Sequence, residues 1–389
     1  MLSPPGRDIR YPTLQEIDAH PLVSKTQNPS IRRIIVCELD TSPSGMQAFY
    51  ELEEELKVPF GPNADMKARG LIRLVEGDVL VLRKKGCLDH TKDVVGMWVA
   101  KADRVNPDHA SWLIQARELV LGEKDKRTLE RPHLEPTGNW VGGTAFERLQ
   151  RGQTGVKGCR CYSQSLTHQC WRGLVGPTAG AKDLDRDYPS DNIRMRNELV
   201  NIYTSVAMDV HEAFAPSDYK HVLEETAKVY NTPRVGSSKN VISPSLQVNI
   251  APAVEEAACR KQGLEDLGEF GSENGHRDEN DTPGALTTMI VNSDLPATYE
   301  RGRFHILGFG IYVELDEHLV ISFSGLYKHG GSPPIAPQGE PVQHDAYRLV
   351  AVCYPPEAAM TTAGSKVVPL ASLPMGELLD LGPEITNPM

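Results

Sequence analysis

With 389 residues, 40% of them hydrophobic, the chain is long enough to bury a large core, which excludes a disordered or fibrous protein. Its formal net charge of −11 excludes a surface that is basic throughout, so contact with nucleic acid would require a local cluster of Lys and Arg. The seven cysteines are odd in number and scattered, which is typical of reduced thiols. The N-terminus has no secretory pattern and no apolar run could cross a bilayer, so we expect a soluble, intracellular protein.

The sequence pattern of residues 1–147 predicts an N-terminal α/β region and does not indicate its role. A helix is predicted over residues 46–57. Apolar runs predict strands at residues 34–37, 71–75, 79–82 and 97–100. The second and third runs are separated only by Glu76-Gly77-Asp78, which predicts a hairpin. No catalytic pattern is apparent in this region.

Residues 148–190 form a segment in which basic side chains are concentrated. No Asp or Glu occurs between the first and last of Arg148, Arg151, Lys157, Arg160, Arg172 and Lys182. Tyr162 and Trp171 are interleaved with them, which favours contact with phosphates and unstacked bases. We therefore predict that this segment contacts DNA, with Arg160 and Arg172 as leading candidates; a solvated loop balanced by acidic neighbours is the alternative.

The same segment contains four residues of the metal-ligand type, namely Cys159, Cys161, His168 and Cys170. Structural zinc sites usually separate paired cysteines by two to four residues, whereas Cys-Arg-Cys leaves one. We therefore favour free thiols, although the sequence does not exclude zinc.

Residues 191–389 predict an α+β domain. Asp191 is a candidate cap for a helix from Ile193 to Phe214, and a second helix is expected before Pro233. Five apolar or alternating runs then predict strands at residues 245–250, 285–292, 304–313, 319–323 and 347–354. Helices followed by antiparallel strands indicate a helix-supported sandwich. The long loop at residues 330–346 is expected to shape the mouth of a site.

A metal site is predicted from three separated pieces of this domain. On a strand His276 and Asp278 would face one pocket, with Arg277 pointing away, and His329 follows a strand at a turn into Gly330-Gly331. Two imidazoles and one carboxylate are typical of ferrous iron and leave positions for a chelating co-substrate and dioxygen.

Arg348, downstream of the second histidine, carries a fork of donors that suits a carboxylate such as the distal end of 2-oxoglutarate. His344 is an alternative to His329 as third ligand, although its position so close to Arg348 makes us prefer His329. Ordinary loop and turn histidines remain the structural alternative for the whole set.

Four stretches resemble the fungal branch of the TET/JBP family of iron(II)- and 2-oxoglutarate-dependent DNA dioxygenases. They are His276-Arg277-Asp278-Glu279-Asn280-Asp281, Arg303-Phe304-His305-Ile306-Leu307-Gly308, Phe323-Ser324-Gly325-Leu326-Tyr327-Lys328-His329-Gly330-Gly331 and Tyr347-Arg348-Leu349-Val350-Ala351-Val352-Cys353-Tyr354. The resemblance covers residues 191–354 and implies a double-stranded β-helix, or jelly-roll, core supported by helices.

By position, the resemblance makes His276, Asp278 and His329 the catalytic iron ligands. It assigns Arg348 to the distal carboxylate of 2-oxoglutarate and His305 to a further contact with this co-substrate. Asn249 resembles an asparagine that contacts 2-oxoglutarate in related repair demethylases, although we favour a plain strand asparagine at this position.

For the substrate, the resemblance places Asp281 where the family contacts the flipped base, with a turn-capping aspartate as the alternative. A base-reading histidine is expected eight residues past Arg348, where this chain has Pro356. Tyr354, two residues earlier, could supply a hydroxyl or a stacking face.

The function implied is oxidation of the methyl group of a methylated base in double-stranded DNA. It involves base flipping and hydrogen abstraction by an iron(IV)-oxo species formed from Fe(II), 2-oxoglutarate and O2. 5-Methylcytosine and N6-methyladenine both remain open, because each offers an exocyclic nitrogen. We expect a nuclear monomer without membrane contact. An oxygenase acting on RNA or protein and an inactive DNA-binding module with the same fold are the alternatives.

We expect replacement of Arg160 and Arg172 by alanine to weaken DNA binding and to flatten its dependence on salt, because each phosphate contact releases condensed counterions. Binding titrations between 50 and 200 mM salt, roughly the range over which such contacts are lost, measure the slope. Unchanged binding across this range would contradict a DNA-contacting role for the segment.

Overall fold

The computed structural model describes the chain in several stretches. They are residues 11–17, 20, 31–59, 66–67, 69–121, 162–165, 168–171, 174–177, 189–229, 232, 235–240, 243–255, 274–343, 345–357, 360 and 366–367.

Strands account for most of the described elements. They are β1 (Leu14–Ile17), β2 (Arg33–Leu39), β3 (Ile72–Arg73), β4 (Asp78–Lys84), β5 (Val94–Lys101), β6 (Tyr162–Ser165), β7 (His168–Trp171), β8 (Leu174–Pro177), β9 (Ser245–Pro252), β10 (Val254–Glu255), β11 (Thr287–Val291), β12 (Arg303–Ile306), β13 (Ile311–Glu314), β14 (Leu319–Phe323), β15 (His329–Gly331), β16 (Ile335–Ala336), β17 (Tyr347–Tyr354) and β18 (Lys366–Val367). The helices are α1 (Pro43–Glu55), α2 (Ala102–Val105), α3 (Asp108–Leu121), α4 (Pro189–Phe214) and α5 (Ser217–Val229), with a 3-10 turn at His90–Lys92. In the part of the chain that is described, no helix combines the length and the apolar character that a membrane span requires.

The α+β class predicted from the sequence is confirmed, with a large sheet at its centre. Nine strands form this sheet in the order β1-β2-β4-β5-β14-β11-β17-β9-β6, and all neighbours are antiparallel except β2 and β4. A second sheet has the order β15-β12-β13-β3. Strand β5 of the N-terminal region pairs directly with β14, so the first hundred residues extend the same sheet as the later strands.

The two faces of the nine-stranded sheet are both buried. One face packs on α3, α4 and α5, with Val36, Trp98 and Val320 in that layer. The other face packs on the four-stranded sheet, with Ile321 from the first sheet and Phe304 from the second. Because neighbouring residues on a strand point to opposite faces, a strand buried on both sides contains a continuous apolar run, as β2 does at residues 34–37.

Three sequence predictions are corrected by the observed elements. The helix predicted to begin after Asp191 starts at Pro189, since the fixed φ of proline suits the first helical turn. The expected hairpin at residues 71–82 does not form. Instead, β3 joins the second sheet, where Ile72 N donates to Gly310 O (2.8 Å), while β4 joins the first.

The third correction concerns the run predicted as one strand at residues 304–313. It is a hairpin of β12 and β13, turned at Gly310 with a φ of 65° and closed by a hydrogen bond from Gly310 N to Leu307 O (3.0 Å). The loop predicted at residues 330–346 contains β16. Its first part from Gly331 to Ala336 is buried, and residues 338–341 and 343 are exposed.

We expect Ile321→Ala to lower the free energy of unfolding by about 2–5 kcal/mol, because truncation leaves a cavity between the two sheets. Ile321 is 0% exposed, whereas Leu88 is 90% exposed and serves as the matched control. Leu88→Ala should change stability by less than about 0.5 kcal/mol. Urea denaturation measures both, and equal midpoints for the two variants would contradict the two-sheet packing.

Candidate metal centre

The three predicted metal ligands converge in the folded chain. His276 Nε2 lies 3.8 Å from Asp278 Oδ1, and His329 Nε2 lies 3.6 Å from Asp278 Oδ2. One candidate ligand atom from each residue lies within 4.8 Å of the others. Two imidazole nitrogens and one carboxylate therefore point at a common volume.

Backbone hydrogen bonds bring these residues together. His276 N donates to His329 O (2.8 Å), and His329 N donates to His276 O (2.9 Å), so the two residues form an isolated antiparallel bridge. Asp278 N donates to Gly325 O (2.8 Å). The prediction of a regular strand through His276 and Asp278 is therefore wrong, as is that of a turn at His329, which lies on β15.

Two glycines allow the close approach of these backbones. Gly275 has a φ of 70°, and a Cβ there would lie 2.7 Å from His329 O. A Cβ on Gly325 would lie 3.0 Å from Asp278 Oδ2 and would collide with the carboxylate of Asp281. Gly275 requires glycine for both conformation and space, whereas a Cβ at Gly325 would force the side chains of Asp278 and Asp281 to shift.

A hydrogen bond from the His329 ring to the backbone leaves Nε2 of this residue available to bind a metal. Its Nδ1 lies 2.8 Å from Tyr327 O, and since a carbonyl only accepts, Nδ1 carries the proton and Nε2 keeps its lone pair. Burial, helped by repulsion from His276, lowers the pKa of His329 to about 3, so the ring is neutral at physiological pH. A neutral imidazole is the form that binds metal.

The donor set and its spacing fit a divalent metal. Bonds of about 2.1 Å at right angles would place neighbouring ligand atoms about 3 Å apart. The two histidine–carboxylate separations of 3.8 and 3.6 Å therefore need to close by less than about 1 Å, and the two histidine nitrogens, which lie within 4.8 Å of each other, by less than about 2 Å. Burial raises the pKa of the Asp278 carboxyl, while His276 opposes this effect. Two histidines and a carboxylate on one side of the ion are typical of non-haem Fe(II) oxygenases.

An aromatic wall, which the sequence analysis did not identify, stands behind His329. The ring centroids of Phe323 and Phe304 lie 5.1 and 5.6 Å from that of His329, and 4.6 Å from each other. Alternation along β12 places Phe304 on the same side as Ile306, but only the observed pairing of Ile306 with His329 shows that this is the side of the candidate metal centre.

Arg348 and Asn249 share the face of the nine-stranded sheet that looks toward the second sheet. Arg348 pairs with Ala251 and Val350 pairs with Asn249, so all four residues project to one side. Arg348 is 3% exposed, and its Nη1 donates to Ser332 O (2.7 Å), just beyond β15. A fixed cation thus lies in the same layer as His329.

His305 does not join this group. It pairs with Gly330 and with Tyr312 and therefore faces the side of its sheet opposite to His329. Its ring stacks on Tyr312 at 5.7 Å, and burial, followed by the charges of Arg303 and Arg69, lowers its pKa to about 3. The structure therefore does not bring the expected co-substrate contact to the metal-facing side.

Asp281 lies beside Asp278 and pairs with the chain just beyond Tyr354. Asp281 N donates to Asp278 O (2.9 Å), and Asp281 forms an isolated bridge with Pro356, two residues beyond Tyr354. Its carboxyl is buried and accepts a hydrogen bond from Thr287 Oγ1 (2.5 Å). Burial raises its pKa to about 7; the Thr287 hydrogen bond opposes this and the charge of Asp278 adds to it.

Charged residues from the N-terminal helix also reach the site, and the sequence analysis missed them. Arg277 Nη2 lies 2.8 Å from Glu53 Oε2, and Lys328 N donates to Glu53 Oε1 (3.0 Å). The guanidinium of Arg277 binds Glu53 and Glu54, and Arg277 is not one of the three residues that cluster as candidate ligands. Glu53 precedes Arg277 by more than two hundred residues, so no local pattern could have revealed the contact.

Several predicted residues cannot be placed. Arg160, Arg172, Cys159, Cys161 and His344 lie outside the described residues, whereas His168 and Cys170 are described only as backbone positions of β7.

A second group of ligand-type residues comprises His20, His90 and Asp93. Its carboxylate is already neutralised by Arg83, whose Nε and Nη2 lie 2.9 and 2.6 Å from Asp93 Oδ1 and Oδ2. A guanidinium in this position competes with a metal ion, so the group is better explained as a buried ion pair.

No protein-family model and no curated protein sequence matches the chain. Among solved structures 43 chains match. One is NgTET1 in complex with 5mC DNA, with 12% identity and a TM-score of 0.41 over 74% of this chain and 80% of that chain. OsALKBH1 matches with 13% identity and a TM-score of 0.29 over 66% of this chain and 97% of that chain. An oxidoreductase of the 2OG-Fe(II) oxygenase family from Burkholderia pseudomallei matches with 10% identity and a TM-score of 0.28 over 67% of this chain and 83% of that chain. These identities and TM-scores are too low to assign the chain to a family or a role to any of its residues.

We expect Gly325→Ala to weaken binding of a divalent metal by about tenfold or more, because the new methyl group would displace Asp278, and outer contacts of ligands typically contribute 10–100-fold. Titration with Co²⁺ measures the affinity. Ser324→Ala on the neighbouring residue is the control and should bind as the wild type does. Equal affinity of the two variants would show that the Gly325 space is not needed.

Proposed function

We propose that this protein is an Fe(II)- and 2-oxoglutarate-dependent dioxygenase that oxidises the methyl group of methylated bases in DNA. The observation that carries the proposal is the convergence of His276, Asp278 and His329, with one neutral imidazole fixed by its backbone bond. The two packed sheets are consistent with a double-stranded β-helix core, which the sequence resemblance implies.

In this proposal His276, Asp278 and His329 hold the iron through Nε2, a carboxylate oxygen and Nε2. Iron with 2-oxoglutarate and dioxygen supplies the oxidation of an otherwise unreactive C–H bond. Phe304 and Phe323 keep water away from the His329 side of the ion. An apolar wall protects a reactive centre from side reactions.

Arg348 is the proposed partner of the distal carboxylate of 2-oxoglutarate. Its guanidinium is buried in the layer that contains His329, where an ion pair is far less screened than at the surface. The fork of donors can bind a carboxylate through two parallel hydrogen bonds. Asn249 on the same face is a further candidate contact, whereas the orientation of His305 gives no support for one.

The proposed substrate is a methylated base flipped out of double-stranded DNA. Asp281 and the end of β17 with Tyr354 lie beside the ligand Asp278, where a flipped base would enter. An acceptor at Asp281 matches the exocyclic nitrogen of cytosine or adenine. A buried metal cannot reach a methyl group inside a stacked duplex, so flipping is required.

We expect the protein, supplied with Fe(II), 2-oxoglutarate and oxygen, to oxidise 5-methylcytosine or N6-methyladenine in a synthetic duplex. His276→Ala and Asp278→Ala should each lower the rate by more than about 100-fold, beyond the usual effect of losing an outer hydrogen-bond partner. His221→Ala is the matched control, because His221 is an exposed residue of α5. Nucleoside analysis and succinate release are the measurements.

The outcomes separate the candidate functions. Succinate release that is stimulated by a peptide or RNA, but not by methylated DNA, would retain the oxygenase and replace its substrate. Persistence of both modified bases without succinate release would refute the proposal.

A further inference from the structure

Glu53 is a fully buried carboxylate on a helix far from the metal ligands in sequence. It lies on α1 and is 0% exposed. A Cβ added to Gly308 would lie 2.7 Å from Glu53 Cγ, so the carboxylate is packed tightly against the turn between β12 and β13. A buried carboxylate is costly unless its oxygens are paired, which makes its partners informative.

Both oxygens of Glu53 bind residues that are adjacent to metal-ligand candidates. Oε2 accepts from Arg277, which lies between His276 and Asp278 (2.8 Å). Oε1 accepts from the backbone N of Lys328, which directly precedes His329 (3.0 Å). One side chain therefore links the two segments that carry all three candidate ligands.

Glu54 contacts the same two residues, Arg277 and Lys328, but these ion pairs contribute less. Its carboxylate lies 2.9 Å from both Arg277 Nη1 and Lys328 Nζ, but its side chain is 62% exposed. Exposed ion pairs contribute little because water and salt screen them. Glu53 differs because it is shielded from solvent and holds a backbone amide in addition to a guanidinium.

We infer that Glu53 is a positioning residue for the proposed metal centre. Its carboxylate fixes the backbone before His329 and the side chain between His276 and Asp278, so that the three ligands face one point before metal binds. The inference rests on the proposed function and deepens it, because it makes the N-terminal region part of the site. Outer contacts of this kind set ligand orientation and hence metal affinity.

The test is a Co²⁺ titration of the full chain in the absence of 2-oxoglutarate and DNA, followed by the visible absorption of the bound ion. Glu53→Gln should bind Co²⁺ about 10–100-fold more weakly, with an altered spectrum, because the neutral amide cannot satisfy both Arg277 and the Lys328 amide. Glu51→Gln is the control, since Glu51 lies exposed on the same helix and accepts a hydrogen bond from Gln47. It should bind within about twofold of the wild type, the range expected of an exposed substitution.

The stability of the Glu53→Gln variant distinguishes a positioning role of Glu53 from a purely structural one. Urea denaturation of metal-free Glu53→Gln gives the fraction of this variant that is folded. If its loss of Co²⁺ affinity is no larger than its unfolded fraction explains, the inference is overturned. If Glu53→Gln does not fold, Arg277→Gln breaks the same contact from the surface side. Arg277→Gln should weaken Co²⁺ binding about tenfold, which is the lower end of the range for loss of an outer contact. Wild-type Co²⁺ affinity in that variant would also overturn the inference.

Failure of the proposed function gives a different result. If the wild type and His276→Ala bind Co²⁺ equally poorly, the metal centre is refuted together with this inference. If the wild type, Glu53→Gln and Arg277→Gln bind equally well while His276→Ala does not, only the positioning role is refuted.

Discussion

The candidate site depends on the reciprocal hydrogen bonds between the backbones of His276 and His329, at 2.8 and 2.9 Å. This bridge joins an irregular loop to β15, and β15 pairs with β12 in the second sheet. A loop held by one bridge would be weakly defined on its own. The φ of 70° at Gly275 and the contact of Asp278 N with Gly325 O supply the additional restraint. The second sheet therefore fixes the positions of the candidate ligands.

The N-terminal strands contribute to the same restraint in a less direct way. Strand β5 pairs with β14 along five residues, and β14 ends at Phe323, which contacts the ring of His329. Strand β3 borders the second sheet, on which His329 also lies. Removing the first hundred residues would expose one edge of both sheets. The region for which no catalytic pattern was found is therefore part of the scaffold around the site.

Most of the strands and the metal-ligand candidates were predictable, because both depend on short-range patterns. Apolar runs predicted β2, β9, β14 and β17, and the order of His276, Asp278 and His329 predicted a group of candidate ligands that clusters in the structure. The predictions that failed depended on strand register or on contacts between residues far apart in the sequence. The turn at Gly310 and the pairing of β12 decide that His305 faces away, and no alternation within one strand reveals which face becomes the metal side. The Glu53 contacts join segments far apart in sequence, so only the fold brings them together.

Exposure gives the candidate site a closed side and an open side. The side chain of His329 is 5% exposed, whereas those of His276 and Asp278 are 42% and 40% exposed. Arg348 lies on the closed side, in the layer between the sheets, where a small dicarboxylate can be desolvated and held by charge. Asp281 is adjacent to the more exposed ligand Asp278, where a large substrate can approach from solvent. Under the proposed function, a site divided in this way would bind a small acid in its interior and act on one base of a polymer that never enters the core.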